Sequence, residues 1–123
     1  MAVASLVAIV DDDESVRESL PDLLRECGFD VQAFTSAEEF LASDSVEQTG
    51  ALLLDIAMPR MSGPELQQEL TRRGHNIPIV FITANGDETL RPRMLAEGAV
   101  ECLHKPFSEA ALLRELNAAL RVG

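Results

Sequence analysis

Several apolar runs of this sequence are followed at once by a polar side chain that can do chemistry. Carboxylates follow the first and third runs, a hydroxyl ends the fourth, and an ammonium follows the fifth. These residues are Asp11, Asp12, Asp13, Asp55, Thr83 and Lys105. If the runs are strands of similar length in one parallel sheet, these groups meet around one shallow pocket at its carboxyl edge.

The charges of such a pocket indicate a bound cation. Ionised Asp11, Asp12 and Asp55 bring a charge of −3 into one crevice, which is costly without a positive partner. Lys105 supplies one positive charge, and a divalent metal supplies the other two. Carboxylate and carbonyl oxygens favour Mg²⁺, which usually shares its coordination shell with a phosphate. An aspartate beside that ion can attack phosphorus, while Thr83 and Lys105 could each hold an oxygen of the transferred group.

Each residue also has a simpler structural interpretation when it is taken alone. Acidic residues such as those from Asp11 to Glu14 often begin a helix. Asp55 can be a turn residue, Thr83 an ordinary strand residue, and Lys105 an exposed loop charge. Their coincidence at successive strand ends favours a shared site.

The segments between these residues alternate between strands and helices. Helical spacing of apolar residues follows each apolar run, and glycines 28, 74 and 98 are predicted to end helices. The central runs are apolar almost throughout, as strands covered on both faces must be. This alternation predicts an α/β fold with a parallel sheet between two helical layers. The predicted strands are Ser5–Val10, Asp30–Phe34, Ala51–Ile56, Pro78–Thr83 and Val100–His104.

Local signals set the predicted helix boundaries. Ser36 with Glu39 and Ser62 with Glu65 each fit a capping box, and the last helix is predicted to begin near Ser108. Pro21 lies within the first helical pattern and is predicted to kink it or to remove a backbone hydrogen bond. Pro92 is predicted to shorten or delay the fourth helix.

The length and composition limit the number of domains and the kinds of partner that this chain can have. The chain has 123 residues and a net charge of −11, from 21 acidic and 10 basic residues. Its length predicts a single domain over residues 1–123, without an output domain. A hydrophobic content of 46% predicts an ordinary core and argues against disorder. The negative field disfavours direct binding of nucleic acid or of a membrane surface by this segment.

Three further features predict a cytoplasmic protein. The apolar stretch from Met1 to Val10 lacks a basic leader and runs into aspartates, so it is interpreted as a strand, not a secretory signal. No run reaches the roughly 20 apolar residues needed to span a bilayer. Cys27 and Cys102 share no motif, and both are predicted to be buried thiols in a reducing compartment.

Together these residues resemble the receiver domains of bacterial two-component response regulators, over the whole chain. Among receivers, the sequence is most similar to those that precede a helix-turn-helix DNA-binding domain. The resemblance implies a flavodoxin-like, doubly wound five-stranded parallel sheet in the order 2-1-3-4-5, with five helices. The matching pieces are Val10-Asp11-Asp12, Asp55-Ile56-Ala57-Met58-Pro59 with Met61-Ser62-Gly63, Ile82-Thr83-Ala84, and Lys105-Pro106-Phe107.

The resemblance also implies a reaction. Asp55 would accept a phosphoryl group from the phosphohistidine of a sensor histidine kinase, in a Mg²⁺-dependent step that the receiver itself promotes without being a turnover enzyme. Asp12 would ligate the metal directly, Asp11 would act through metal-bound water or more variably, and Ala57 would contribute its backbone carbonyl. With Asp55 these form the metal set, in which Mn²⁺ or Ca²⁺ could replace Mg²⁺.

The resemblance implies a switch as well. Thr83 would move toward the phosphoryl group and Lys105 would pair with it, and the bond from Lys105 to Pro106 is commonly cis in the family. An aromatic residue usually stands three places before the lysine, but this sequence has Cys102 there. We therefore expect reduced coupling to the surface formed by the fourth helix, fifth strand and last helix. Asn85 lies where family members tune the lifetime of the phosphoryl group.

Three other functions compete with this interpretation. A Mg²⁺-dependent phosphatase with an aspartyl nucleophile carries that residue after its first strand and usually has a longer chain. A flavodoxin-like electron carrier needs aromatic rings around its flavin, whereas this sequence has neither Trp nor Tyr. A degenerate receiver that only binds partners is disfavoured by the intact acidic set but left open by Cys102.

The expected partners follow from the same resemblance. They are a sensor histidine kinase and a DNA-binding output domain outside this chain that regulates transcription. A homodimer formed through the last helix after phosphorylation is a further hypothesis.

Overall fold

The computed structural model describes residues 6–84 and 90–122. Five strands alternate with five helices in this part of the chain, as the sequence predicts, and a short 3-10 turn at Val46–Gln48 precedes the third strand. The strands are β1 (Leu6–Val10), β2 (Asp30–Phe34), β3 (Thr49–Asp55), β4 (Ile79–Thr83) and β5 (Glu101–His104). The helices are α1 (Glu14–Glu26), α2 (Ala37–Ala42), α3 (Gly63–Arg72), α4 (Leu90–Ala96) and α5 (Glu109–Val122).

All strand pairs are parallel, and the sheet order is β2-β1-β3-β4-β5. The predicted fold class and strand order are confirmed. β3 begins earlier than predicted, because Thr49 pairs with Leu6 of β1 before a register shift. β3 also ends one residue earlier, at Asp55, because the chain then turns toward α3 and the Ile56 carbonyl accepts the Gly63 N–H at 3.0 Å.

The sheet separates two apolar clusters, one on each face. The first packs under α2, α3 and α4, and the second packs under α1 and α5. The first cluster includes Val10, Phe34, Phe40, Leu54, Leu66, Phe81, Met94 and Cys102. The second includes Ile9, Leu24, Leu53, Val80, Ile82, Leu112 and Leu116. With both faces buried, polar groups of the central strands have access to solvent only at the strand ends.

Helix termini follow their sequence signals with one difference. Ser62 and Glu65 form the predicted capping box at α3. At α2, Ser36 accepts the Glu39 N–H as predicted, but the Glu39 carboxylate accepts from the Thr35 N–H, one residue before the cap. Glycines 28, 74 and 98 adopt φ angles of 94°, 84° and 104°, which suit glycine at helix ends.

The prolines are accommodated differently in the two helices. α1 continues through Pro21, whose ring is buried and which removes one backbone donor. Pro92 lies in the first turn of the seven-residue α4, where a backbone N–H has no partner within the helix.

One expectation about the cysteines is wrong. Cys102 is buried, but Cys27 is exposed, and both are free thiols. α1 ends at Glu26, so the chain turns away from the core at Cys27 before the helical spacing can bring that side chain inward. Over the described residues, no helix combines the length and apolar character needed to cross a membrane.

Candidate functional site

The carboxyl ends of β1, β3, β4 and β5 surround an open cleft of about 480 Å³. The residues that line it are Asp12, Asp13, Asp55, Ala57, Thr83, Ala84 and Lys105. Asp11 lies behind this lining and is completely buried. The structure therefore brings together every residue that the sequence analysis assigned to the pocket.

Three of the carboxylates could hold a single cation. Asp11, Asp12 and Asp55 each offer an oxygen, and these oxygens all lie within 4.8 Å of one another. Asp11 and Asp55 are buried while Asp12 is exposed, so the group opens to solvent on one side. Closely spaced carboxylates of this kind suit a hard divalent cation that also keeps water ligands.

Asp11 is fixed from several directions. Its Oδ2 lies 3.1 Å from the Lys105 Nζ, and its Oδ1 accepts the Asp13 N–H at 2.9 Å. The Arg17 guanidinium donates to the backbone carbonyl of Asp11 at 3.0 Å. These contacts hold the buried carboxylate in place and compensate part of its charge.

Asp13 has the structural role that the simpler interpretation proposed. It is the N-cap of α1, and its carboxylate accepts both the backbone N–H of Ser15 at 3.0 Å and the Ser15 hydroxyl at 2.8 Å. The side-chain hydrogen bond from Ser15, followed by the backbone one, lowers the pKa of Asp13. The acidic run therefore divides: Asp11 and Asp12 belong to the acidic cluster, and Asp13 begins the helix.

Asp55 stands at the centre of the cleft in an environment that opposes its ionisation. Burial, and then the negative charge of Asp11, raise the pKa of Asp55 to about 7, although the Lys105 ammonium acts in the opposite direction. Its Oδ1 accepts the Ala57 N–H at 3.3 Å. A cation bound between the carboxylates would offset both effects and favour the ionised form of Asp55.

Thr83 and Lys105 close the other side of the cleft. Thr83 ends β4 and is 2% exposed. Its backbone carbonyl accepts the Lys105 N–H at 2.8 Å, which ties the end of β4 to the start of the next loop. The bond between Lys105 and Pro106 is cis.

Gly63 does not line the cleft, but it lies against the backbone of Asp55 with no room for a side chain. A Cβ atom at this position would lie 2.4 Å from the Asp55 carbonyl oxygen and 3.0 Å from the Ile56 Cα. The start of α3 thus packs directly against the backbone that carries Asp55. Only the Met61-Ser62-Gly63 match pointed to this residue, because close approach of two backbones leaves no signature in composition or periodicity.

Cys102 lies away from the cleft. It pairs with Phe81 in the sheet and is 2% exposed within the first apolar cluster. Burial, and then the charge of Glu101, raise the pKa of its thiol. The predicted tuning position, Asn85, lies outside the described residues.

A model of the response regulator receiver domain family matches residues 7–117. Among curated proteins, the response regulator protein TodT of Pseudomonas putida is 41% identical over 119 residues, which is 97% of this chain and 52% of TodT. The transcriptional regulatory protein FixJ of Rhizobium meliloti is 40% identical over 113 residues, which is 92% of this chain and 55% of FixJ. The chain spans about half the length of these curated relatives.

Solved structures agree with the sequence matches. The response regulator StyR has a TM-score of 0.87 at 50% identity, over 95% of this chain and 59% of that one. The crystal structure of FixJ-N has a TM-score of 0.84 at 38% identity, over 94% of this chain and 93% of that one.

Proposed function

Because this chain belongs to the response regulator receiver family, a family of phosphoacceptor signalling domains, we propose that Asp55 is the residue that accepts the phosphoryl group. The position of Asp55 in the cleft supports this proposal. Asp55 lines the cleft between an acidic pair on one side and Thr83 and Lys105 on the other. Asp11 is completely buried behind the cleft and is already paired with Lys105, so a phosphoryl donor does not reach it, and Asp12 is exposed at the rim.

The acidic cluster fits Mg²⁺, with Mn²⁺ or Ca²⁺ as substitutes. Asp11, Asp12 and Asp55 would hold the ion, and the backbone carbonyl of Ala57 would complete the protein ligands. The fit rests on the mutual approach of the three carboxylates and on the raised pKa of Asp55. When bound, the cation supplies charge neutralisation for the carboxylate nucleophile and for the incoming phosphoryl oxygens.

The other side chains have complementary roles. In the unphosphorylated protein the Lys105 ammonium pairs with Asp11 and is 3.8 Å from Asp13. Phosphorylation of Asp55 adds about one negative charge to the pocket, so Lys105 gains a further anion to pair with. The Thr83 hydroxyl would turn to donate to a phosphoryl oxygen. These movements carry the signal to the surface of α4, β5 and α5.

The phosphoryl donor would be the phosphohistidine of a sensor histidine kinase, which would place this domain in the cytoplasm. The names of its relatives, response regulator and transcriptional regulatory protein, favour an output in transcription. We propose a DNA-binding output domain outside this chain, with residues 1–123 forming a single receiver. Direct contact of this segment with nucleic acid is disfavoured by its charge of −11.

The runner-up is a degenerate receiver that binds partners without phosphorylation. It would explain why Cys102 stands at the usual aromatic position. The complete set of acids, hydroxyl and ammonium around one cleft favours the phosphoacceptor instead. A receiver is a signalling domain, so promotion of its own phosphorylation and dephosphorylation is the only catalysis proposed for it.

The test locates the phosphoryl group. The protein is incubated with Mg²⁺ and acetyl phosphate, the acyl phosphate is reduced with borohydride, and peptide masses identify the modified aspartate. The proposal predicts reduction at Asp55 in the wild type and none in Asp55→Asn. Modification at Asp11 or Asp12, or equal labelling of Asp55→Asn, would overturn the assignment.

A further inference from the structure

His104 carries a buried nitrogen that the proposed chemistry does not use. It is the last residue of β5 and directly precedes Lys105. Its Nε2 is buried from solvent and has no hydrogen-bond partner among residues 6–84 and 90–122. A buried polar atom without a partner costs free energy, and native proteins keep few of them. His104 is adjacent to Lys105, which lines the proposed phosphoryl site. We therefore expect the His104 Nε2 to gain a hydrogen-bond partner when a phosphoryl group occupies that site.

The sheet register makes Thr83 the nearest polar neighbour on the adjacent strand. β4 and β5 pair Thr83 with His104, and neighbouring strands lie about 4.8 Å apart. Two residues earlier the same register pairs Phe81 with Cys102, and both are buried in the first apolar cluster. Because alternate residues of a strand share a face, the side chains of Thr83 and His104 leave the sheet on that same side.

The hydrogen-bonding capacities of the two side chains are complementary. A threonine hydroxyl has one proton to donate and two lone pairs that accept. A threonine hydroxyl that donates its proton to a phosphoryl oxygen can at the same time accept a hydrogen bond from another donor at its own oxygen. A neutral imidazole whose Nε2 is protonated supplies that donor.

We propose that His104 is a positioning residue for the phosphoryl site: its Nε2–H donates to the Thr83 hydroxyl oxygen when that hydroxyl donates to a phosphoryl group on Asp55. The proposal rests on the proposed function of Asp55. The resulting chain runs from imidazole to hydroxyl to phosphoryl oxygen, and hydrogen bonds in such a chain polarise and strengthen one another. Since the Nε2 gains its partner only in the phosphorylated state, His104 favours that state.

Two substitutions separate the hydrogen bond from the shape of the ring. His104→Phe keeps a flat ring but removes the donor, and His104→Gln places an amide N–H close to the former Nε2 position. Thermal unfolding without a phosphoryl mimic provides the folding control. We expect His104→Phe to be at least as stable as the wild type, because it removes an unpartnered polar atom without leaving a cavity.

The readout is the midpoint of beryllium fluoride binding in the presence of Mg²⁺, followed by amide NMR signals. His104→Phe is expected to weaken binding about three- to tenfold, the effect of one hydrogen bond, while His104→Gln stays near the wild-type value. If His104 acts through Thr83, adding His104→Phe to Thr83→Ala causes no further loss. The imidazole ¹⁵N signals of the wild type provide a direct check, with Nε2 moving on addition of beryllium fluoride.

The outcomes distinguish failure of the proposed function from failure of the role proposed for His104. If the wild type binds no beryllium fluoride and gains no mass from acetyl phosphate, the proposed function fails. If the wild type binds it, but His104→Phe has the same midpoint and the Nε2 signal is unmoved, the role of His104 is refuted. Equal loss of binding in the Phe and Gln variants, together with lower thermal stability in both, would also overturn it in favour of a structural role.

Discussion

At the scale of single residues, burial and neighbouring charge control the ionisation of Asp55, the proposed phosphoryl acceptor. Its carboxylate is enclosed beside Asp11, so the folded protein resists ionising it unless positive charge is added. Lys105 supplies part of that charge, and a cation in the acidic cluster would supply the rest. In the proposed reaction, the state that accepts a phosphoryl group is therefore the metal-bound state, which makes metal binding, pH and stability interdependent.

This interdependence predicts how stability changes with pH. The pKa of Asp55 is raised from 3.8 to about 7, so between these values the folded protein binds a proton that the unfolded chain has released. With a chelator present, the contribution of Asp55 to the free energy of unfolding falls as pH rises through this window. Added Mg²⁺ is expected to raise Tm more at about pH 8 than at about pH 5. Calorimetry measures Tm with a chelator and with Mg²⁺ at each pH. In Asp55→Asn, the rise in Tm caused by Mg²⁺ should differ much less between the two pH values. A difference as large as that of the wild type would contradict the role given to Asp55.

Gly63 gives a prediction about packing at the same scale. Gly63→Ala drives a methyl group toward the Asp55 carbonyl oxygen, so it should lower the free energy of unfolding by about 1–3 kcal/mol and weaken Mg²⁺ binding. Gly28→Ala is the matched control, because its φ of 94° makes alanine strained while open space surrounds it. It should lose stability and keep its Mg²⁺ affinity. Titration calorimetry measures the Mg²⁺ affinity of both variants. Equal affinities would refute a role for Gly63 in shaping the site.

The sequence predicts those site residues whose chemistry is visible in their type. Asp55, Thr83 and Lys105 each end an apolar strand, and the parallel sheet then brings them together. What escapes prediction depends on three-dimensional distances: the approach of Gly63 to the Asp55 backbone, and the burial of His104 Nε2 without a partner in the described part of the chain. The exact end of a helix is also hard to predict from sequence. Cys27 is exposed because α1 ends at Glu26, one residue earlier than the apolar spacing indicates.

At the scale of elements, α4 and β5 are joined by an ion pair at the surface proposed to signal. The Arg91 guanidinium donates to both carboxylate oxygens of Glu101 at 2.6 and 2.9 Å, and Glu101 also accepts the Cys102 N–H at 3.0 Å. Hydrogen bonding from Arg91 lowers the pKa of Glu101. The pair therefore connects the first turn of α4 with the strand that leads to Lys105.

A double-mutant cycle measures this connection. Arg91→Ala and Glu101→Gln should each be mildly destabilising, with a small but measurable coupling because Arg91 is half exposed. Added salt should reduce the coupling. Denaturant unfolding of the four proteins gives the value. Additive effects at low salt would show that the two residues contribute nothing as a pair.

At the scale of the whole molecule, the acidic surface governs association. The net charge of −11 opposes contact between copies, and a phosphoryl group adds to it. Light scattering with beryllium fluoride and Mg²⁺ is expected to show a homodimer that salt favours, since salt screens this repulsion. Asp55→Asn should remain monomeric under the same conditions. A wild-type protein that remains monomeric with beryllium fluoride bound would refute the proposed homodimer.

The central claim is that the cleft is a working phosphoacceptor site centred on Asp55. Its most direct test is the intact mass of the protein after incubation with acetyl phosphate, with Mg²⁺ or with a chelator, beside Asp55→Asn. We expect a mass gain of one phosphoryl group in the wild type with Mg²⁺ and no gain in either control. A gain that persists in Asp55→Asn, or that does not require the metal, would contradict it.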